Sequence, residues 1–299
     1  MQRLRLVSVL LAAPLALAAG LAAAPQADAK AEEVLKAARS AVGGDALANV
    51  RSLSITGGNR RMMGDREIAG EASVDLLLPD KMRRTDSFGI SGGPTMERVS
   101  VLNGGEVWDD STNRGGGGFM RFGGPGGPGG AGGRPLTDED RQRFREMQTR
   151  RMKGEMARYS LGWLLQTSAP VTYAGIAEAE DGKADVLDVK PEGGTALKLF
   201  IDQQSHLPLM ITYEGPLPRM IMRQGGQRPS PEEIEKMRQA PPQTATFEVR
   251  FSEYKKIDGV LLPHLITTSA DGKVTEEWTI DKYKVNPALK PESFVKKGS

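Results

Sequence analysis

The sequence predicts a mainly β (α+β) fold: one large curled antiparallel sheet, an unclosed β-barrel, with an N-terminal helix and inserted lid helices. Three observations predict it. Apolar and polar residues alternate at period two in segment after segment, as in Leu197, Leu199 and Ile201, or Phe247, Val249 and Phe251. Short turns such as Asn103-Gly104, Asp181-Gly182, Asp258-Gly259 and Asp271-Gly272 separate these segments, so neighbours pair as hairpins. Helical periodicity appears in only a few places, too few to cover both faces of about ten strands.

The elements follow in order. Lys30 to Val42 reads as an amphipathic helix, with Ala31, Val34, Leu35, Ala38, Ala41 and Val42 at spacings of three and four. Gly43-Gly44 ends it, because glycine takes the left-handed C-cap conformation without steric cost. Val50 to Thr56 is a strand. A longer one follows, with Ile68, Ala72, Val74, Leu76 and Leu78 on one face. Pro79-Asp80-Lys81 turns into a strand over Met82 to Phe88. Glu97 to Leu102 and Glu106 to Asp109 form the next hairpin.

Residues 114 to 135, RGGGGFMRFGGPGGPGGAGGRP, interrupt the pattern. So many glycines bury little and cost much entropy to order. Thr137-Asp138-Glu139-Asp140 then resembles a capping box with acids in the first turn. A helix is expected from there to about Ala157, with the stripe Phe144, Met147, Met152, Met156, Tyr159 and Trp163, and an apolar turn or short helix over Leu161 to Leu165. Hairpins return: Val171 to Glu178 with Ala184 to Lys190, Ala196 to Asp202 with Leu207 to Tyr213, and Thr246 to Lys256 with Val260 to Ser269. Lys273 to Lys284 closes the series. A second interruption contains Arg219-Met220-Ile221-Met222-Arg223 and a capped start at Ser230-Pro231.

The N-terminus reads as a targeting segment. Met1-Gln2-Arg3-Leu4-Arg5 is basic, Leu6 to Ala24 is almost wholly apolar, and Ala27-Asp28-Ala29 is a small-x-small cleavage site. Residues 1–29 are therefore expected to be a secretory signal peptide, cleaved before Lys30. The alternative is a membrane anchor. The chain has no cysteine, so disulfides and lipidation at an N-terminal cysteine are excluded. Together these suit the bacterial periplasm. The expected organisation is one domain over 30–299, with a glycine-rich and helical insertion at 111–165 and a basic insertion at 215–243.

Net charge is only +2, but it is unevenly spread. Residues 112–158 carry ten Lys/Arg against five Asp/Glu, and residues 215–243 five against three, on an otherwise acidic body. Those segments suit an anionic membrane surface or an envelope membrane protein, or flaps that close onto the acidic body. The glycine run is either a neutral surface loop or a flap whose Phe119, Met120 and Phe122 reach a cavity mouth. Its RGG character resembles single-strand RNA binders, but a secreted chain meets no such partner, so nucleic acid is excluded.

Nothing points to catalysis. Of the two histidines, His206 falls in a hairpin turn and His264 follows Pro263 in a strand. Neither opens a metal motif, and no GxSxG elbow occurs. Asp109-Asp110 and Asp138 to Asp140 read as a turn and a helix start. No catalytic residue, metal or cofactor is expected, and the protein is not read as an enzyme.

"LLLPDKMRR", "VSVLNGGEVWDD", "LKLFIDQQSHLPLMITYEG" and "FSEYKKIDGVLLPHLITTSADGKVTEEWTIDKYKVN" occur in that order after an exported helix. In this the chain resembles the outer-membrane lipoprotein-sorting (lipoprotein carrier) superfamily. The resemblance covers most of residues 30–299 outside the two insertions. It implies a bent, unclosed barrel with an apolar concave face roofed by helices. Known members hold lipoprotein acyl chains in the periplasm, and a related branch senses envelope stress. The family pattern has an arginine before the proline of the "LLLPDKM" turn. This chain has Leu78 there, which takes a carrier-type lid latch, though not the cavity, out of what the resemblance implies.

A cavity of this kind needs no catalytic group. Each buried methylene contributes about 0.8 kcal/mol, so a chain of about sixteen carbons yields on the order of 10 kcal/mol before ordering costs. The expected function is a periplasmic carrier for a lipid, a lipoprotein acyl chain or a similar ligand. An envelope-stress sensor or regulatory module using the same cavity is the alternative. The lining expected from alternation is Val74, Leu76, Leu78, Leu199, Ile201, Phe247, Phe251 and Trp278, with the opposite strand face as the other possibility. The lid is expected to contain Phe119, Met120, Phe122, Phe144, Met152, Met156, Met220 and Met222, where methionines adapt to irregular ligands.

Overall fold

The computed structural model describes residues 23–63, 66–89, 95–114, 138–180, 182–190, 195–217 and 243–295. Helix α1 (Ala23–Val42) and the single turn α2 (Asp45–Ala48) precede a meander of β1 (Ser52–Met63), β2 (Arg66–Leu77), β3 (Lys81–Gly89), β4 (Thr95–Asn103) and β5 (Glu106–Arg114). Helix α3 (Asp138–Leu164) follows. A second meander comprises β6 (Val171–Ala179), β7 (Gly182–Val189), β8 (Leu197–Asp202), β9 (Pro208–Pro216), β10 (Thr244–Ile257), β11 (Val260–Ala270) and β12 (Lys273–Val285). A 3₁₀ turn, Pro291–Phe294, ends the described chain.

All twelve strands form one antiparallel sheet in the order β5-β4-β3-β2-β1-β12-β11-β10-β9-β8-β7-β6. The two meanders join where β1 pairs with β12. β5 and β6 remain as opposite edges, so the sheet is unclosed, as the alternation predicts. The turn chemistry is the expected kind: Asp258 and Gly259 both have positive φ, 49° and 89°, which matches the right-handed twist of the flanking strands.

Val74 on β2 and Leu199 on β8 belong to one hydrophobic cluster with α1 and α3. Six strand spacings separate them, about 29 Å in a flat sheet. The sheet must therefore bend around the helices, and bulges at Thr56/Gly57 and Thr268/Ser269 supply part of the bend. A smaller cluster of Val99, Val101 and Phe294 covers the convex face near β3 and β4.

Some elements differ from the expectation. α1 begins at Ala23, seven residues early, because the alanine-rich leader end has high helix propensity. Its buried positions, Ala31, Val34, Leu35, Ala38 and Val42, are those of the expected stripe, while Ala41 is half-buried. β1 continues through Gly57-Gly58 to Met63, because pairing on both sides overrides weak local propensity. β5 runs to Arg114 and β9 to Pro216, so both stretches read as insertions begin inside strands.

The largest difference is α3, one helix of 27 residues where a helix ending near Ala157 and a separate apolar turn or short helix were expected. Gly162 does not break it. A Cβ there would lie 2.6 Å from Phe251 Cζ and 3.2 Å from Ile211 Cδ1, so the missing side chain is what lets the helix sit down on the sheet. α3 also links the two edges of the sheet. The chain leaves edge β5, crosses the concave face as α3 and re-enters at edge β6.

Candidate functional site

The concave face and the helix across it form the candidate site. α3 turns Met152, Met156, Tyr159 and Trp163 inward, at helical spacing. Met152, Met156, Leu161, Trp163 and Leu164 are all buried. Tyr159 stacks on Trp163 with centroids 4.5 Å apart. Trp163 then meets Trp278 of β12 at 6.1 Å and the edge of Tyr283 at 6.4 Å. Arg158 lies 4.5 Å over Tyr213, which stacks on Phe247. At the helix end, Arg39 of α1 donates its Nε–H to the Leu165 carbonyl at 3.0 Å.

An ionic cluster ties α3 to the sheet. Arg84 of β3 donates from Nη1 to Glu155 at 2.8 Å and to Tyr159 Oη at 3.0 Å. Its Nη2 donates to Glu276 at 2.8 Å, and Nε and Nη2 both reach Asp86. Arg61 of β1 bridges Asp86 at 2.9 Å and Glu276 at 3.1 Å. Tyr159 in turn donates to Glu155.

Burial pushes the Glu155 carboxyl up, but Arg84, Arg158 and Arg151 outweigh it and hold it at about 2. Burial likewise opposes ionisation of Glu276, and Arg84, Arg61 and the Asn59 hydrogen bond bring it to about 2. Burial works against the Arg84 charge too; Tyr159, Asp86, Glu276 and Glu155 more than offset it, so the guanidinium stays charged. The cluster is an ionised clamp between one turn of α3 and three strands.

The residues expected to line a cavity are placed as follows. Val74, Leu76, Leu199, Ile201, Phe251 and Trp278 are buried on the face that α1 and α3 cover. Leu78 is half-buried at the rim of the same cluster, and Phe247 is half-buried beside Tyr213. Met152 and Met156 pack into the cluster from α3. Met147, expected on the same stripe, is 57% exposed, because the first half of α3 stands clear of the sheet. Phe144 belongs to that half, and its side chain lies outside the described residues. Phe119, Met120, Phe122, Met220 and Met222 also lie outside them.

The concave face thus holds the protein's own helices. The indole N–H groups of Trp163 and Trp278 are buried there with no hydrogen-bond partner among the described residues. Beyond the ionic cluster the sheet leaves a hollow of about 120 Å³ lined from β1 to β4, including Arg61, Ile68, Phe88, Met96 and Arg98. Among the described residues no group of His, Cys, Asp and Glu side chains is placed to hold a metal ion.

Arg84, Glu155 and Glu276 were not expected from the sequence, though a signal exists. Alternation that turns Met82 inward also turns Arg84 and Asp86 inward, and Glu276 is two residues before inward Trp278. Glu155 is four residues before Tyr159.

No family model and no curated protein matches the chain. The chain is similar to solved structures of the LolA superfamily. A LolA superfamily protein from Nitrosomonas europaea is 11% identical, with 89% of this chain and 97% of that one covered and a TM-score of 0.49. A putative outer membrane lipoprotein-sorting protein domain from Vibrio parahaemolyticus is 10% identical over 88% and 97%, with a TM-score of 0.42. The MucA/MucB complex of Pseudomonas aeruginosa contains a chain 13% identical over 84% and 93%, with a TM-score of 0.22. At such identities and scores the likeness concerns the course of the chain and carries nothing about ligand or partner.

Proposed function

We propose that this is an exported binding protein that holds a lipid, a lipoprotein acyl chain or a similar hydrophobic ligand against the concave face of its sheet, with α3 as the occupant that the ligand displaces. One observation carries the reading: an apolar concave face is covered by a crossover helix held by a local clamp rather than by strand pairing. Burial of the five α3 side chains Met152, Met156, Leu161, Trp163 and Leu164 contributes roughly 1.5–3 kcal/mol each. An acyl chain of about sixteen carbons offers on the order of 10 kcal/mol against the same surface. The two are matched in scale, and breaking the Arg84–Glu155 contact is a further cost of lifting α3. Two buried indole N–H groups without a hydrogen-bond partner among the described residues make the helix seal weaker than its area alone implies.

Export belongs to the same reading. Among the described side chains of α1, every buried position lies at or beyond Ala31, so cleavage before Lys30 removes none of them from the core. Native mass spectrometry of protein purified without detergent tests the proposal. It should show co-purified lipid or saturable uptake of palmitate. Protein that stays empty and ignores palmitate contradicts it.

A second reading is favoured by the exposed half of α3, where Arg141, Arg143, Arg145 and Arg150 face solvent. There the same fold serves as an envelope-stress sensor or regulatory module, and this half docks on an anionic membrane surface or an envelope membrane protein. A photo-crosslinker at Arg145 should then trap a protein partner in cells. Salt-sensitive binding to anionic vesicles without any protein adduct favours the membrane surface instead.

A further inference from the structure

Arg84 divides its donors between the sheet and the helix. Nε and Nη2 are engaged by Asp86 of the same strand and Glu276 of β12. Nη1 donates to Glu155 at 2.8 Å and to Tyr159 Oη at 3.0 Å, both on α3. A guanidinium holds its N–H donors in a fixed planar fork. When α3 lifts, Nη1 loses both of these partners at once, while Asp86 and Glu276 keep the fork aimed at the same place. Arg158 and Arg151 also favour the Glu155 charge, but both belong to α3 and leave with it. What Glu155 vacates is therefore a positioned donor group that already accommodates a carboxylate.

The apolar surface beyond it has a direction. Arg84 lies over the Trp278 ring, 5.8 Å from its centroid. Trp278 pairs with Ile266, and Ile266 with Phe251. Val249, the next residue on that face of β10, pairs with Ile211, and Ile211 with Leu199. All six are buried. Three strand spacings, about 14 Å, separate Trp278 from Ile211. An acyl chain extends about 15 Å, half the hydrocarbon core of a bilayer. α3 lays the same sequence of chemistry along this line. The Glu155 carboxylate meets Arg84, Trp163 meets Trp278 at 6.1 Å, and Gly162 sits against Phe251 and Ile211. From Glu155 to Trp163 the helix covers about 12 Å. The helical cover is itself an anion followed by an apolar body.

We propose that the ligand which displaces α3 is a single-chain lipid with a free carboxylate, its head group replacing Glu155 on Arg84 Nη1 and its tail running over Trp278 toward Ile211. This rests on the reading that α3 yields to an acyl chain, and it adds the head group and the orientation. A hydroxyl or ester head group makes a weaker bond to Nη1 than a charged oxygen does. A cationic head group offers it no acceptor and meets a like charge.

Competition between palmitate and hexadecanol for the whole protein, read by native mass spectrometry, tests the head group. Palmitate should win by about tenfold, the worth of one hydrogen bond to a charged group. Arg84→Gln should bring the two level. Stearate carrying a nitroxide near its carboxyl or near its methyl end tests the orientation in the unaltered protein, and decides the matter if Arg84→Gln does not fold. The label near the carboxyl should broaden the methyl signals of Val74, which pairs with Arg84, and the label near the methyl end those of Ile211 and Leu199. Equal binding of hexadecanol, preference for hexadecyltrimethylammonium, a folded Arg84→Gln variant that still prefers palmitate, or the reverse broadening pattern overturns the proposal while leaving α3 as an acyl-displaced cover. Failure of every chain to bind overturns that reading as well.

Discussion

Arg84 is the residue on which the clamp turns. Its side chain is 10% exposed and joins three carboxylates and a phenol, so its removal strands buried negative charge. Arg84→Met should cost about 3–5 kcal/mol in urea unfolding, because breaking one side of a buried ion pair is far worse than never having it. The pH dependence has a defined sign. Glu155 and Glu276 titrate near 2 when folded against an ordinary 4.5, so the unfolded chain binds their protons more tightly. Their stabilisation is complete above about pH 4.5 and is lost as pH falls toward 2; urea midpoints between pH 6 and 2 should fall, and fall less in Arg84→Met. Gly162→Ala drives a methyl into Phe251 and should cost about 1–3 kcal/mol by the same assay. At this scale the sequence was only half legible. Alternation placed Val74, Leu76, Leu199, Ile201, Phe251 and Trp278 on one face. The same rule held the clamp, but a charged residue on an apolar strand face reads as solvent-exposed until its partner from a distant helix is known.

The strands were readable because period-two alternation and Asp-Gly turns are local signals, and β10 to β12 follow them closely. Strand ends were harder: β1 passes through Gly57-Gly58 because β2 and β12 both pair with it, a nonlocal effect. α3 was the least legible element. Its first half is mostly polar and leaves Met147 exposed, its second half packs on the sheet, and a glycine sits where the sequence suggests a stop. Nor does a sequence reveal that β5 and β6 are opposite edges, which is what makes α3 a crossover. A helix of that kind, held by side chains alone, should open before the sheet does. Amide hydrogen exchange should be faster in the covered part of α3, Met152 to Leu164, than in the middle of β1 and β12. Equal protection would mean that helix and sheet unfold as one unit, which leaves no route for an acyl chain beneath α3.

For the whole molecule, a single bent sheet with two free edges presents a concave apolar face that something must cover. α1 covers part of it permanently, its Arg39 gripping the end of α3. α3 covers the rest through a clamp that is strong but local. The account rests on that helix giving way to a hydrocarbon chain. The absence of cysteine makes the decisive measurement clean, since Lys153→Cys on the solvent side of α3 and Lys282→Cys on β12 introduce the only two thiols for spin labels. Pulsed dipolar spectroscopy should then show the distance between the labels lengthen on saturation with palmitate and return when the ligand is removed. Saturable palmitate binding with an unchanged distance distribution would contradict the account.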